Sequence, residues 1–121
     1  MAETAQTGPD GFSDADILNA TSVITCDLQG IVTKFTNGAQ KLFGYAPEEI
    51  VGKQSVAVFH KPENLPLVPQ LLQTAVEKGI WENELELVRK GGQTFRAKLA
   101  VRPMYRSGQL TGYMGITRPL K

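Results

Sequence analysis

Apolar and polar residues alternate along three stretches in the second half of the chain, and this period of two predicts three β-strands. The strands run from Trp81 to Lys90, from Thr94 to Met104 and from Leu110 to Thr117. Gly91-Gly92 predicts a two-residue hairpin connection, and residues 106–109 predict the next turn. The polar faces of the first two strands carry acidic and basic residues respectively, so we expect charge pairs across this hairpin.

Two more strands are predicted nearer the start of the chain. β-branched residues dominate Val23 to Asp27 and Ile31 to Thr36, and the turn sequence Asp27-Leu28-Gln29-Gly30 stands between them. The pattern therefore predicts a second antiparallel hairpin.

Capping residues, glycines and prolines delimit four short helices. The first, Ser13 to Ala20, begins with a hydroxyl that can accept backbone hydrogen bonds. The second spans Asn37 to Gly44, with Asn37 expected as its cap and the glycine as its end. Pro47 begins a single helical turn. A longer helix is predicted from Val68-Pro69 to Gly79; it starts there because a proline in the interior of a helix costs about 3 kcal/mol.

This order of elements predicts an α+β fold, a five-stranded antiparallel sheet with short helices on one face. A chain of 121 residues is one domain by size. We expect residues 1–12 to form a flexible N-terminal tail, residues 13–118 to form the folded domain, and residues 119–121 to be its C-terminal end.

Composition narrows the range of functions. The hydrophobic content of 41% and charged content of 21% are those of a globular chain, and the net charge of +1 argues against nucleic acid or anionic membranes as partners. Residues 1–10 lack the basic start and apolar centre of a signal peptide, so none is expected. One cysteine, Cys26, excludes an internal disulfide and favours a reducing, cytoplasmic location.

Several short segments, in this order and on these predicted elements, resemble the motifs of one family. They are Asp27 to Ile31, Asn37 to Tyr45, Pro47 to Lys53, Arg89 to Gly92 and Gly112 to Ile116. Across residues 13–118 the chain resembles a PAS domain, a small sensory and dimerisation module. Residues 118–121 depart from the Arg-Asp-Ile-Thr with which such domains usually lead into an output domain.

The resemblance implies a sensory role rather than an enzymatic one. It implies a domain that binds a small ligand or cofactor, dimerises, or does both, to regulate an output domain such as a histidine kinase of a two-component system. We expect a homodimer formed through the N-terminal helix and the sheet. The alternative is a ligand-free protein–protein interaction module. No nucleophile–base pair and no carboxylate pair stands out in the sequence, so no catalytic residues are expected.

Nine residues form the predicted ligand or cofactor site. Most lie on faces expected to point inward, and in ligand-binding relatives the neighbourhood of Asn37 borders the cavity. The set is Phe35, Asn37, Phe43, Leu72, Trp81, Leu85, Leu87, Leu99 and Met114. The same inward residues would also serve as an ordinary filled core.

Flavin is the best single cofactor candidate, because flavin-binding redox relatives carry a tryptophan at the position of Trp81. Haem is less favoured, because His60 is expected in a surface turn before Pro62 and not in the longer helix. The photoreceptor branch forms its flavin adduct through a cysteine where this chain has Ser55, so no adduct is expected and Cys26 is interpreted as a buried apolar residue. A single histidine also predicts no metal site.

Overall fold

The computed structural model describes residues 22–120 and confirms the five-stranded antiparallel sheet with short helices. The strands are β1 (Ser22–Asp27), β2 (Val32–Phe35), β3 (Trp81–Val88), β4 (Thr94–Arg106) and β5 (Gln109–Pro119). The helices are α1 (Asn37–Phe43), α2 (Pro47–Ile50) and α3 (Leu67–Lys78), with 3-10 helices at Val56–Phe59 and Pro62–Asn64. The predicted tail, residues 1–12, and the predicted helix, residues 13–20, lie outside the described residues.

The sheet order is β2-β1-β5-β4-β3, so the last strand lies in the middle and joins the two hairpins. The β1–β2 turn is held by Asp27, whose carboxylate Oδ1 accepts hydrogen bonds from the amides of Gln29 and Ile31, both at 2.9 Å. Gly30 has a φ of +86°, a conformation that glycine adopts without steric cost. The predicted hairpin is therefore confirmed.

The prediction that Asn37 caps α1 is wrong, because the cap is Thr36. The backbone of Thr36 is still extended (φ −72°, ψ 169°), and its Oγ1 accepts hydrogen bonds from the amides of Ala39 at 3.4 Å and Val23 at 3.0 Å. Asn37 is already the first residue of the helix, so its backbone does not have the extended conformation that a cap residue adopts. Gly44 ends the helix in the left-handed conformation, as expected.

The hairpin of β3 and β4 has the predicted charge pairs but a longer connection. Arg96 lies 3.8 Å from Glu84, and Lys98 lies 3.7 Å from Glu82. These side chains are about half exposed, so each pair contributes little to stability. The last backbone pair joins residues 89 and 93, which leaves three residues in the loop instead of two.

The central strand β5 presents the opposite face from the one predicted. Gly115 pairs with Ile24 on one side and with Val101 on the other. Residues paired across antiparallel strands point to the same side, so Gly115 faces the core that Ile24 and Val101 share. Met114, which we expected to point inward, therefore lies on the outer face together with Ile116, because the register on both sides of β5 turns Gly115 inward.

Candidate ligand-binding cavity

A cavity of about 50 Å³ lies between the inner face of the sheet and the helices. Residues of β1, β3, β4 and β5, the first 3-10 helix, α1 and α3 form its wall. The lining residues are Ile24, Cys26, Phe43, Val56, Phe59, His60, Val68, Leu71, Leu72, Leu87, Leu99, Val101, Tyr113, Gly115 and Thr117. The wall is mostly apolar and contains no Asp, Glu, Lys or Arg side chain.

Four of the nine predicted site residues line this cavity. They are Phe43, Leu72, Leu87 and Leu99, which come from α1, α3, β3 and β4 respectively. The periodicity of side chains along each helix and strand predicts that these four residues point inward. The structure brings all four to the wall of the same cavity.

The other five predicted site residues lie elsewhere. Phe35 and Leu85 are buried in the core without lining the cavity, and Trp81 packs partly buried against that core. Asn37 is exposed at the start of α1, and Met114 is on the outer face for the reason of register given above. Tyr113, Gly115 and Thr117 occupy the wall that Met114 was expected to provide.

We expected His60 in a surface turn and did not include it in the predicted site. It follows the 3-10 helix Val56–Phe59 as expected for a turn, but its side chain is largely buried and lines the cavity. Nδ1 of His60 is buried and has no hydrogen-bond partner among the described residues. Burial lowers the pKa of His60 from 6.5 to about 4, so the ring is neutral at pH 7. The apolar run just before His60 was the available signal for an inward-facing segment.

Cys26 is the small buried residue that the sequence predicted. Its side chain is 3% exposed and lines the cavity next to Tyr113, its partner on β5. Burial raises the pKa of the thiol to about 11, and the backbone hydrogen bond with Tyr113 only partly offsets that rise. The neutral thiol is a weak nucleophile at pH 7.

An aromatic cluster supports one wall of the cavity. The ring centroid of Phe59 lies 4.7 Å from that of Phe43 and 5.8 Å from that of Phe35. Phe43 in turn meets Phe95 edge-on at 5.6 Å. These offset and edge-on arrangements are the favourable ones for aromatic pairs, so the wall is well ordered by packing.

Arg89 fastens the β3–β4 hairpin to α1. Its guanidinium carbon lies 4.4 Å above the ring of Phe95, and its Nε donates a hydrogen bond to the carbonyl oxygen of Leu42 at 2.9 Å. The amide of Lys90 donates to the carbonyl oxygen of Phe43, the residue whose ring forms the cavity wall, at 2.8 Å. The hairpin and the cavity are thereby mechanically connected.

The cavity is small compared with the sites that hold large ligands. Pockets that bury drug-sized ligands measure about 300–1,000 Å³, several times the 50 Å³ found here. For an isoalloxazine ring or a haem to bind here, the side chains of the wall would have to move apart. Within residues 22–120, no group of three His, Cys, Asp or Glu side chains could hold a metal ion. No helix in that same part of the chain is long and apolar enough to cross a membrane.

The sequence of this chain is similar to that of a two-component system protein. The chain is 28% identical over 106 residues to Two-component system protein A of Emericella nidulans, a match that covers 87% of this chain. The chain spans only 16% of the length of that relative.

Solved structures share the fold. The PAS domain of a protein from Colwellia psychrerythraea superposes with a TM-score of 0.81 at 27% identity, covering 88% of this chain and 92% of that one. A light-oxygen-voltage domain studied with a flavin analogue superposes with a TM-score of 0.72 at 21% identity, covering 88% and 82%. A PAS domain of a LuxR-family regulator from Burkholderia thailandensis, in complex with ethanol, superposes with a TM-score of 0.72 at 13% identity, covering 90% and 98%.

The family assignment rests on the sequence itself. The family model described as PAS domain matches residues 20–118, which include every strand and helix described above except the final residue of β5. The chain belongs to the PAS domain family.

Proposed function

We propose that this chain is a non-catalytic sensor that binds a small molecule in its cavity and passes the signal through the sheet to a second copy and an output domain. The cavity carries the proposal. It encloses about 50 Å³ behind a mostly apolar wall, and the core side chains leave this space unfilled. The similarity to a two-component system protein supports a role in regulating an output domain.

The chemistry of the wall supports binding rather than catalysis. The thiol of Cys26 is protonated because its pKa is raised, and the ring of His60 is neutral because its pKa is lowered. Among the described residues, the carboxylates with a shifted pKa, Glu49 and Glu63, are exposed and paired with lysines. A protonated thiol and an imidazole of such low basicity would make a weak nucleophile and a weak general base.

The outer face of the sheet supports the second part of the proposal. Val23, Ile116 and Ala100 pair side by side across β1, β5 and β4, and Met114 lies on the same face. We call these four residues the outer apolar patch. Val23 is already buried, at 5% exposed, whereas Ala100, Met114 and Ile116 are half-buried, and these three would gain stability when another surface covers them. We propose that a second copy of the chain covers the patch; the N-terminal helix predicted to take part in the same dimer lies outside the described residues.

Native mass spectrometry of the purified protein tests the ligand. Sprayed with an excess of small neutral solutes, the wild type should gain an added small mass, and a Gly115→Val variant, whose side chain would extend into the cavity beside Leu99, should gain none. The ultraviolet–visible spectrum should show protein absorbance alone. A flavin or haem band would contradict the size argument, and an absent mass in both proteins would favour the ligand-free interaction module.

Light scattering tests the dimer. We expect a dimer for the wild type and a monomer for Ile116→Lys, because a charge in the outer apolar patch must be desolvated on association. Thr111→Lys adds the same charge at an exposed position of the same strand and should leave the dimer intact. A wild-type monomer, or an Ile116→Lys dimer, would overturn this part of the proposal.

A further inference from the structure

The outer face of the sheet is charged differently at its two edges, which are β2 and β3. On β2, Lys34 pairs with Thr25 of β1. Thr25 lies two residues after Val23 of the outer apolar patch, so Thr25 and Lys34 both point to the outer face. Lys34 is exposed, and among the described residues no acidic side chain forms an ion pair with it. The β2 edge of this face is therefore basic.

The β3 edge of the same face is acidic. Glu82 pairs with Ala100 of the outer apolar patch, and Glu84 and Glu86 point to the same side because the side-chain period of a strand is two. Glu82 lies 3.7 Å from Lys98 of β4, and both side chains are about half exposed. A carboxylate accepts several hydrogen bonds, so Glu82 can also pair with a second cation. The outer apolar patch thus lies between a basic edge and an acidic edge.

Two copies that cover this patch face to face, with their strands aligned, can be related by two-fold symmetry in two ways. If the axis is parallel to β5, the strand order of the second copy runs in the opposite direction, and β2 of each copy lies over β3 of the other. If the axis is perpendicular to the strands, each strand lies over the same strand of the second copy. The charges of the outer face distinguish these two arrangements.

The perpendicular axis would bring like charges together. The glutamates of β3 would face the glutamates of β3 in the second copy. The neighbouring strand β4 carries Arg96, Lys98 and Arg102 on the outer face and would lie over the same basic strand. Like charges that face each other across an interface oppose association, so the charges disfavour this arrangement.

The axis parallel to β5 brings opposite charges together. β5 is the middle strand of the sheet and of the outer apolar patch, so Ile116 would meet Ile116 of the second copy, and Val23 would meet Ala100. Beyond these apolar contacts, the acidic edge of one copy would lie over the basic edge of the other. Because the arrangement is symmetric, the favourable charge contact occurs twice.

We propose that two copies pack through the outer apolar patch with the two-fold axis parallel to β5, and that Glu82 of each copy pairs with Lys34 of the other. The inference rests on the proposed function and specifies the geometry of its dimer. Charge complementarity contributes more to orientation and specificity than to affinity. The apolar patch therefore holds the two copies together, and the charged edges select the arrangement.

Charge reversal on both edges tests this geometry in the full chain. Lys34→Glu alone and Glu82→Lys alone should each weaken the homodimer about tenfold, because two ion pairs become two like-charge contacts. An equimolar mixture of the two variants should form a heterodimer with the affinity of the wild type, since each contact then joins opposite charges again. Sedimentation velocity measures the dissociation constants, and native mass spectrometry with one variant labelled with 15N counts the homodimers and heterodimers.

Glu84→Lys is the matched control. It makes the same change on the same strand and also lies beside a basic residue of β4, Arg96 at 3.8 Å, but it is one row further from Lys34 of the second copy. Its homodimer should keep the affinity of the wild type within about twofold. The three substituted side chains are exposed or about half exposed, so we expect the variants to fold, and circular dichroism checks this.

The mixtures also separate the two axes. A mixture of Lys34→Glu and Glu82→Lys that associates no more tightly than the single variants would overturn the proposed geometry. A heterodimer of wild type and Glu82→Lys that is tighter than the wild-type homodimer would overturn it as well, because only the perpendicular axis places position 82 against itself. A wild-type dimer that neither charge reversal weakens would overturn this inference alone, whereas a wild-type monomer would overturn the proposed dimer itself.

Discussion

Gly112 of β5 lies directly against the carbonyl oxygen of Cys26 on β1. A Cβ atom built on Gly112 would fall far inside the van der Waals contact distance of that oxygen, and close to the backbone of Asp27 as well. Because both obstacles are backbone atoms of a central strand, neither can move aside by changing a rotamer. The pairing of β1 with β5 therefore requires glycine at this position.

We expect Gly112→Ala to lower the free energy of unfolding by about 3 kcal/mol or more, at the upper end of what overpacking costs. Gly115→Ala is the matched control. Its added methyl group would meet Leu99 at an ordinary 3.5 Å, so its effect should stay within about 1 kcal/mol. Urea denaturation followed by circular dichroism measures both. Equal effects of the two substitutions would show that β1 and β5 separate easily at Gly112.

Thr36 should contribute more than Asn37 to the stability of the start of α1. Thr36→Ala removes an acceptor from two buried amides, those of Val23 and Ala39, and should cost about 2 kcal/mol. Asn37→Ala changes an exposed helical residue and should stay within about 0.5 kcal/mol. Thermal and urea unfolding of both variants would check the difference. A larger loss for Asn37→Ala would restore asparagine as the cap.

Stability should depend on pH through His60. The folded state binds a proton at this ring with a pKa of about 4, whereas the unfolded chain binds one near 6.5. The unfolded state therefore holds more protons between these values, and stability falls as the pH drops from about 6.5 to about 4. The loss attributable to this ring is roughly 3 kcal/mol in all.

Urea denaturation at several pH values, compared between the wild type and His60→Phe, isolates this contribution. Exposed carboxylates such as Glu49 and Glu63 titrate in both proteins and cancel in the difference. The difference in stability should change with pH only within that window. A constant difference would mean that the ring is hydrated in the folded state.

The thiol of Cys26 should be inert in the folded protein. Burial raises its pKa from 9.0 to about 11, which lowers the thiolate fraction at pH 8 about a hundredfold, and the side chain is only 3% exposed. Reaction with a disulfide reagent should be at least that much slower in buffer than in guanidinium chloride. This is the only cysteine, so the denatured protein provides the control for complete reaction. Rapid reaction of the folded protein would show that the cavity opens readily.

Local patterns predicted the elements because each depends on a few neighbouring residues. Alternation located β3 and β4 and the face that carries Leu85 and Leu87, since the side-chain period of a strand is two. Glycine ended α1 and α3 as expected, because both ends require a left-handed backbone conformation. Four residues of the predicted site follow directly from these local signals.

The sequence by itself determined the family, the order of the five strands and of α1 to α3, and the exclusion of an internal disulfide. Only the tertiary structure decided which face of β5 points inward, because Met114 and Gly115 exchange roles when the register of two neighbouring strands is imposed. It also decided that His60 lines a cavity and that this cavity is small. Burial and enclosed volume result from many distant side chains packing together, and no local pattern along the chain contains them.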